Sequence, residues 1–262
     1  MLRAERLTLA YPGRVLVEGL TLEFLPGQIW AVLGRNGSGK STLLHALAAL
    51  RLPQAGAVLL DGAPLHSLPR RRIAGAIGVL LQEETHEFWG SARDLVLLGR
   101  YPHARSPFGW HLDDEAVARG EIESLHLTAL AERPFATLSG GERQRARAAA
   151  LFAQRPHVYL LDEPLQHLDL AHQVAVLERL AREARERNAV VIMVVHDLVF
   201  ASRYCHRFLL LYGDGSCAHG GAPEVLDARH LGELYGFPLD MVEVGNDRLL
   251  LPRRGSEQPP HV

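Results

Sequence analysis

The chain has 262 residues, 47% of them apolar, with 24 glycines, 15 prolines and two cysteines. That length can bury a full core in one or two compact domains, and it excludes a disulfide-stapled miniprotein or a disordered tail. Basic residues (28) and acidic residues (30) nearly cancel to a formal charge of -2, so no global basic footprint for nucleic acid is present. One basic residue is a lysine, Lys40, and all the others are arginine.

The opening MLRAERLTLAYPG alternates charged and apolar residues and lacks the apolar stretch of about 7 to 15 residues that a secretory signal carries. With Gly56 to Gly62, where Asp61-Gly62 is a turn signal, the first 28 residues predict short antiparallel strands. The apolar run Ile29 to Leu33 predicts a buried strand, followed by a helix from Ser41 to Leu52. Between them lies GRNGSGKS, residues 34–41, which satisfies G-x-x-x-x-G-K-[ST] in the strand-to-helix setting that pattern requires. Gly34, Gly37 and Gly39 let successive backbone N–H groups of Arg35, Asn36, Ser38 and their neighbours point inward at phosphate oxygens, and the helix adds its positive end. Lys40 supplies a compact charge for the β- and γ-phosphates, and the Ser41 hydroxyl, beside Thr42, is a ligand for Mg²⁺.

Further strands are predicted over Ala57 to Leu60 and Ile77 to Leu81, the second ending at Gln82. The Arg70-Arg71-Arg72 run reads as a solvated face. From about residue 84 to 155 the rhythm changes: no strand is legible, and helical spacing appears over Asp113 to Leu127 and Glu142 to Gln154. Val158 to Leu161 then predicts a buried strand that delivers two carboxylates, Asp162 and Glu163, at its end. Acids so placed are costly unless they meet a cation or a polar substrate. Asp162 suits Mg²⁺ and Glu163 an attacking water, although strand-end acids are also common helix caps. A helix over Leu170 to Asn188 and a strand over Ala189 to Val195 follow, the strand ending at His196. A last core strand is read at Phe208 to Tyr212, and PRRGSEQPPHV from Pro252 reads as a loose tail.

The apolar run from 189 to 195 is far below the roughly 20 residues that cross a bilayer, so the expected location is cytoplasmic. Cys205 and Cys217 have neither CxxC spacing nor a histidine partner and read as ordinary thiols. Strands alternating with helices argue for an α/β fold with a mostly parallel sheet, in which ligands bind outside the carboxyl ends of strands.

LSGGE, Leu138 to Glu142, completes an ordered set with GRNGSGKS, VYLLDE and His196. In that order, with a helical stretch between, the chain resembles the ATP-binding cassette subunit of ABC transporters over about residues 2 to 245. The resemblance implies a P-loop NTPase, RecA-like core with an N-terminal antiparallel β subdomain and an inserted helical subdomain. It implies one ATPase domain over 1–245, with core residues 1–83 and 156–245, helical residues 84–155, and a tail over 246–262.

The same resemblance implies site roles. Tyr11 stacks on adenine, Gln82 reaches Mg²⁺ and the attacking water, Glu163 is the catalytic base and His196 contacts the γ-phosphate. Ser139, Gly140 and Gly141 cap the γ-phosphate held by the opposite copy of a head-to-tail homodimer, and Asp169 signals across that dimer. ATP and Mg²⁺ are the implied cofactors. The implied partners are membrane permease subunits and, indirectly, a substrate-binding protein, with no nucleic acid; the ATPase lies peripherally on the cytoplasmic face of the inner membrane.

Two features depart from the commonest family pattern: Leu165 where threonine is usual, and Ala149-Ala150 where the family usually has an arginine at the second position. Together with LGRYPH (Leu98 to His103), LDLAHQ (Leu168 to Gln173) and Tyr235-Gly236, they liken the chain to the group importing vitamin B12, ferric siderophores and haem, most of all to its vitamin B12 branch. Two other readings compete: a soluble ABC ATPase acting on ribosomes or DNA, which usually carries two cassettes or a coiled-coil insertion, and a P-loop kinase or GTPase that works without dimerising.

Overall fold

The computed structural model describes residues 1–11, 13–81, 88–104, 109–244 and 247–253. At the N-terminus, β1 (Leu2–Tyr11) and β2 (Arg14–Phe24) pair antiparallel, as expected, but they are long rather than short. Leu2, Ala4, Leu7 and Leu9 face inward, and the alternation slips once near Arg6, whose φ is 45°. A bulge of this kind lets a long strand bend without turning its inner face to water.

β3 (Ile29–Gly34) leads through the glycine-rich loop into α1 (Lys40–Leu47). The helix stops short of the predicted Leu52. Ala49 turns the chain at φ 57°, and the Leu50 and Arg51 amides both return to the His45 carbonyl. Leu52 precedes Pro53, a position that disfavours helix. Next, β4 (Ala55–Leu60) and the two-residue β5 (Ala63–Pro64) complete a four-stranded antiparallel sheet in the order β2-β1-β4-β5.

α2 (Arg70–Ala76) and β6 (Ile77–Leu80) come next. The arginine run on α2 is exposed, but two of its members are pinned rather than merely solvated. Arg70 donates to the Ala49 carbonyl at 2.9 Å, and Arg71 donates to the carbonyls of Pro102 and Ala104.

The expected helical region holds α3 (Ala92–Leu98), α4 (Leu112–Ser124) and α5 (Gly140–Gln154), and among its described residues no strand. The LGRYPH segment clamps these helices together. A Cβ on Gly99 would lie 2.1 Å from the Ala150 carbonyl oxygen, so α3 meets α5 backbone to backbone, and the small residue at 150 belongs to that contact. Arg100 donates to Asp114 on α4 at 2.9 Å and to the Ala153 carbonyl at 2.7 Å, while His103 Nε2 meets the Gln154 carbonyl at 2.7 Å. Two carbonyls that the end of α5 leaves without intrahelical partners are thereby satisfied.

The chain returns to the core through β7 (Val158–Asp162), α6 (Leu170–Arg187), β8 (Val190–Val194), α7 (Leu198–Tyr204), β9 (Arg207–Leu211) and β10 (Cys217–Gly221). The resulting six-stranded sheet runs β10-β9-β3-β8-β7-β6, parallel except for β10. Every residue of β3, β7 and β8 is buried, which is why they read as unbroken apolar runs. Trp30, Val32, Leu160 and Ile192 pack toward α1 and the antiparallel sheet; Ala31, Leu33, Leu161 and Met193 pack toward α5 and α6.

α8 (Ala222–Val225) and α9 (Ala228–Tyr235) precede β11 (Leu239–Val244) and β12 (Asp247–Pro252). Part of the segment expected as a C-terminal tail, residues 246–262, is a strand. Asp247 to Pro252 pair antiparallel with β11, from Val244 opposite Asp247 to Leu239 opposite Pro252.

Candidate nucleotide-binding site

β3, β8 and β7 are neighbours in the sheet, so their carboxyl ends bring the glycine-rich loop, His196 and the Asp162-Glu163 pair to one rim. A cleft of about 960 Å³ opens there, lined by Asn36, Gly37, Gly39, Lys40, Ser41 and Thr42, by Glu163 and His196, and by Tyr11. Gly37 and Gly39 sit at φ 76° and 101°, conformations that glycine alone enters without strain, and these turns wrap the loop into a cradle. Gly34, Arg35 and Ser38 complete the loop behind the lining. Ser38 is buried, and its hydroxyl has no hydrogen-bond partner among the described residues.

Lys40 begins α1 and is only 7% exposed. Its ammonium donates to the carbonyls of Gly34 at 2.8 Å and Arg35 at 2.9 Å. Burial lowers its pKa below the ordinary lysine value, and the nearby carboxylates of Glu163 and Asp162 oppose that shift. A buried cation turned onto loop carbonyls, in a cradle turned by Gly37 and Gly39, is chemically suited to accept a polyphosphate.

Asp162, the last residue of β7, is 3% exposed and lies opposite Val194 of β8. Glu163 follows in the left-handed region at φ 52°, its amide held by the Val194 carbonyl at 3.2 Å. That backbone turn aims its carboxylate into the cleft, where Oε1 lies 2.7 Å from Nε2 of His196. A carboxylate can only accept here, so His196 donates. The buried Asp162 carboxylate and the Ser41 hydroxyl make up an all-oxygen donor set of the kind that suits Mg²⁺. Gln82, read as the third member of that set, lies outside the described residues.

The remaining predicted residues do not line this cleft. Ser139 caps α5 in a reciprocal box: Glu142 N–H donates to Ser139 Oγ at 3.3 Å, and Ser139 N–H donates to Glu142 Oε2 at 2.7 Å. That backbone N–H bond is the chief reason the Glu142 pKa lies below the usual carboxylate value. Gly140 and Gly141 form the first turn of the helix. Asp169 caps α6, accepting from the His172 amide at 2.9 Å and its ring at 2.7 Å, and these bonds lower its pKa in turn. A buried bond from Gln144 Nε2 to the Pro164 carbonyl, 3.0 Å, ties α5 to the loop that follows Glu163.

Three cleft residues escaped the sequence reading: Arg14, Leu16 and Gln166. Leu16 is one apolar residue in an alternating strand, and Arg14 is one arginine among many, so neither carries a spacing signal.

The family described as ABC transporter matches residues 17–166. The hemin import ATP-binding protein HmuV of Rhodococcus jostii is 38% identical over 97% of this chain and 86% of its own length. The ferric enterobactin transport ATP-binding protein FepC of Escherichia coli is 36% identical over 96% of this chain and 93% of its own. Among solved structures, an inward-facing ABC transporter of the metal-chelate type superposes with a TM-score of 0.81, at 30% identity over 97% of this chain and 98% of that one. The narrower likeness to a vitamin B12 importer has no counterpart among these relatives. No helix of the described residues is long and apolar enough to cross a membrane. With its cleft, its phosphate cradle and these relatives in agreement, the chain belongs to the ATP-binding cassette family as an ATP-hydrolysing ABC transporter subunit.

Proposed function

We propose that two copies of this chain bind ATP and Mg²⁺ between them, and that closing and reopening of the pair powers import of a metal chelate through separate permease subunits. Cargo reaches those permeases from a substrate-binding protein, and the ATPase works peripherally on the cytoplasmic face of the inner membrane. Ferric siderophore and haem are the cargoes that the relatives' names support, with cobalamin the third candidate from the sequence. In this reading residues 1–83 and 156–245 form the nucleotide-binding core, and residues 84–155 form the helical subdomain.

One observation carries the proposal. Lys40, Glu163 and His196 share one cleft, while Ser139, Gly140, Gly141 and Asp169 stand outside it, so the site is half built in a single copy. A head-to-tail two-fold pair completes two equal sites, because each copy offers the half that the other lacks. Tyr11 stacks on adenine, Gly34 to Thr42 cradle the phosphates, and the N-terminus of α5 faces the partner's γ-phosphate. Glu163 accepts a proton from the attacking water, and His196, whose ring donates to Glu163, contacts the γ-phosphate. Mg²⁺, held by Ser41, Gln82 and Asp162, would neutralise phosphate charge. We place the permease-facing surface near Gln82 to Ser91; residues 82–87 lie outside the described residues, and beyond them Trp89 is exposed beside Phe88, which packs on Phe135.

The test is reconstitution with the cognate permease and binding-protein subunits, in vesicles loaded with ATP. Uptake of labelled haemin, ferric siderophore or cobalamin is expected for one chelate class and only with ATP. ATP-independent uptake, or no uptake of any chelate despite ATP turnover, would overturn the proposal.

A further inference from the structure

A nucleotide in this cleft must touch two different sheets. Tyr11 ends β1 of the antiparallel sheet, whereas the phosphate loop follows β3 of the six-stranded sheet. The apolar core joins the two sheets lower down, but the ring itself stands clear of it: Tyr11 is 61% exposed, and Gly13, Arg14 and Val15 are exposed as well.

Polar contacts hold this end of the hairpin. Arg14 donates through Nε at 2.8 Å and Nη2 at 2.5 Å to the Gly213 carbonyl, in the turn between β9 and β10. Beside it the Glu18 amide donates to the Gly215 carbonyl at 2.9 Å. Gly213 sits at φ 85°, and a Cβ there would lie 3.0 Å from Arg14 Nη2 and 3.3 Å from Ser38 Cα. The turn is therefore wedged between Arg14 and the phosphate loop. Arg51 acts from another side: it donates to the Ala10 carbonyl at 2.9 Å, and its guanidinium lies 5.5 Å from the centre of the Tyr11 ring. Arg51 lines a separate hollow of about 480 Å³ and not the nucleotide cleft, so the guanidinium backs the ring and leaves its other face free.

We propose that Arg14 and Arg51 are positioning residues that hold the Tyr11 ring at the distance from the phosphate loop which one ATP spans, Arg14 acting through the Gly213 turn. The inference rests on the nucleotide reading given above. A ring held in place before binding loses little freedom when the base stacks on it, whereas a loose ring must be ordered at the expense of affinity. Arg14 meets the phosphate loop by way of the Gly213 turn, which packs on Ser38, and Arg51 bonds the strand end at Ala10.

Calorimetry on the purified full chain with two ligands, ATP and inorganic tripolyphosphate, tests this. Arg14→Ala and Arg51→Ala should each raise the Kd for ATP by roughly tenfold and leave that for tripolyphosphate within about twofold. In a Tyr11→Ala background both should add less than about twofold to the Kd for ATP. Arg14→Lys keeps the charge without the paired donors, is the milder variant should the alanine form not fold, and should fall between. An unchanged Kd for ATP, or equal losses for both ligands, would overturn the positioning role. Wild-type chain that binds tripolyphosphate but gains nothing from the base of ATP would instead remove Tyr11 as the base platform, and binding of neither ligand would remove the nucleotide site itself.

Discussion

Glu163 Oε1 and His196 Nε2 stand 2.7 Å apart across the ends of two neighbouring strands, and the glutamate reaches that position through a left-handed backbone turn at φ 52°. A non-glycine residue in that region costs of order 1 kcal/mol, which the Val194 carbonyl helps to offset by holding its amide. Glu163→Gln keeps the size and the turn but removes the basic carboxylate. ATP turnover should fall by about 10² to 10⁴-fold with ATP affinity retained, and an ATP-bound pair should accumulate in size-exclusion chromatography. Undiminished phosphate release would remove Glu163 from the role of base.

Lys40 is the chain's one lysine, buried and turned onto two loop carbonyls. Its lowered pKa leaves more neutral amine at a given pH than an ordinary lysine has, and the charge of a bound triphosphate shifts it back upward. An amine-selective reagent at mildly alkaline pH should therefore label two positions, Lys40 and the N-terminus. ATP should protect Lys40 alone, as read by peptide mass spectrometry. Lys40→Ala should weaken ATP binding by on the order of a hundredfold, since two or more charge-assisted bonds are lost.

The parallel core and its phosphate loop were legible because each buried strand is an unbroken apolar run ending in chemistry: Gly34, Asp162-Glu163 and Val195-His196. Helices that bury a wide face, such as Leu170–Arg187, were legible from periodicity, whereas four- to eight-residue elements such as Ala222–Val225 and Ala228–Tyr235 are too short to repeat a pattern. Arg14 and Arg51 were illegible for another reason. Their significance lies in reaching carbonyls 199 and 41 residues away, and no local spacing encodes that. LGRYPH was visible only as a family likeness until the structure gave Gly99, Arg100 and His103 one shared partner in α5.

Arg100 and Asp114 form a bond of 2.9 Å with side chains only 12% and 7% exposed. Removing the arginine strands a buried carboxylate and the Ala153 carbonyl together. Arg100→Met should destabilise the chain by about 3 kcal/mol, a fall in Tm of several degrees. Adding Asp114→Leu should recover part of that loss, because the stranded charge goes with it. A Tm for Arg100→Met equal to wild type would mean that the clamp contributes nothing to stability.

The division of the site between cleft and signature turn gives the last prediction. Ser139 lies outside its own copy's cleft, yet the first turn of α5 presents N–H groups and a helix dipole to whatever faces it. Ser139→Arg should therefore leave nucleotide binding to the single chain intact while abolishing turnover in the pair, since a long side chain blocks that turn. Lys40→Ala fails for the opposite reason, losing its own cradle with an intact signature. Mixed in equal amounts, the two inactive variants place both lesions in one of the two composite sites of each mixed pair and leave the other site wild type. Partial ATP turnover should then appear, at no more than about half the wild-type rate per mixed pair. A mixture as inactive as its components would argue that both sites must be whole for turnover. Wild-type turnover by Ser139→Arg alone would remove the signature turn from the site.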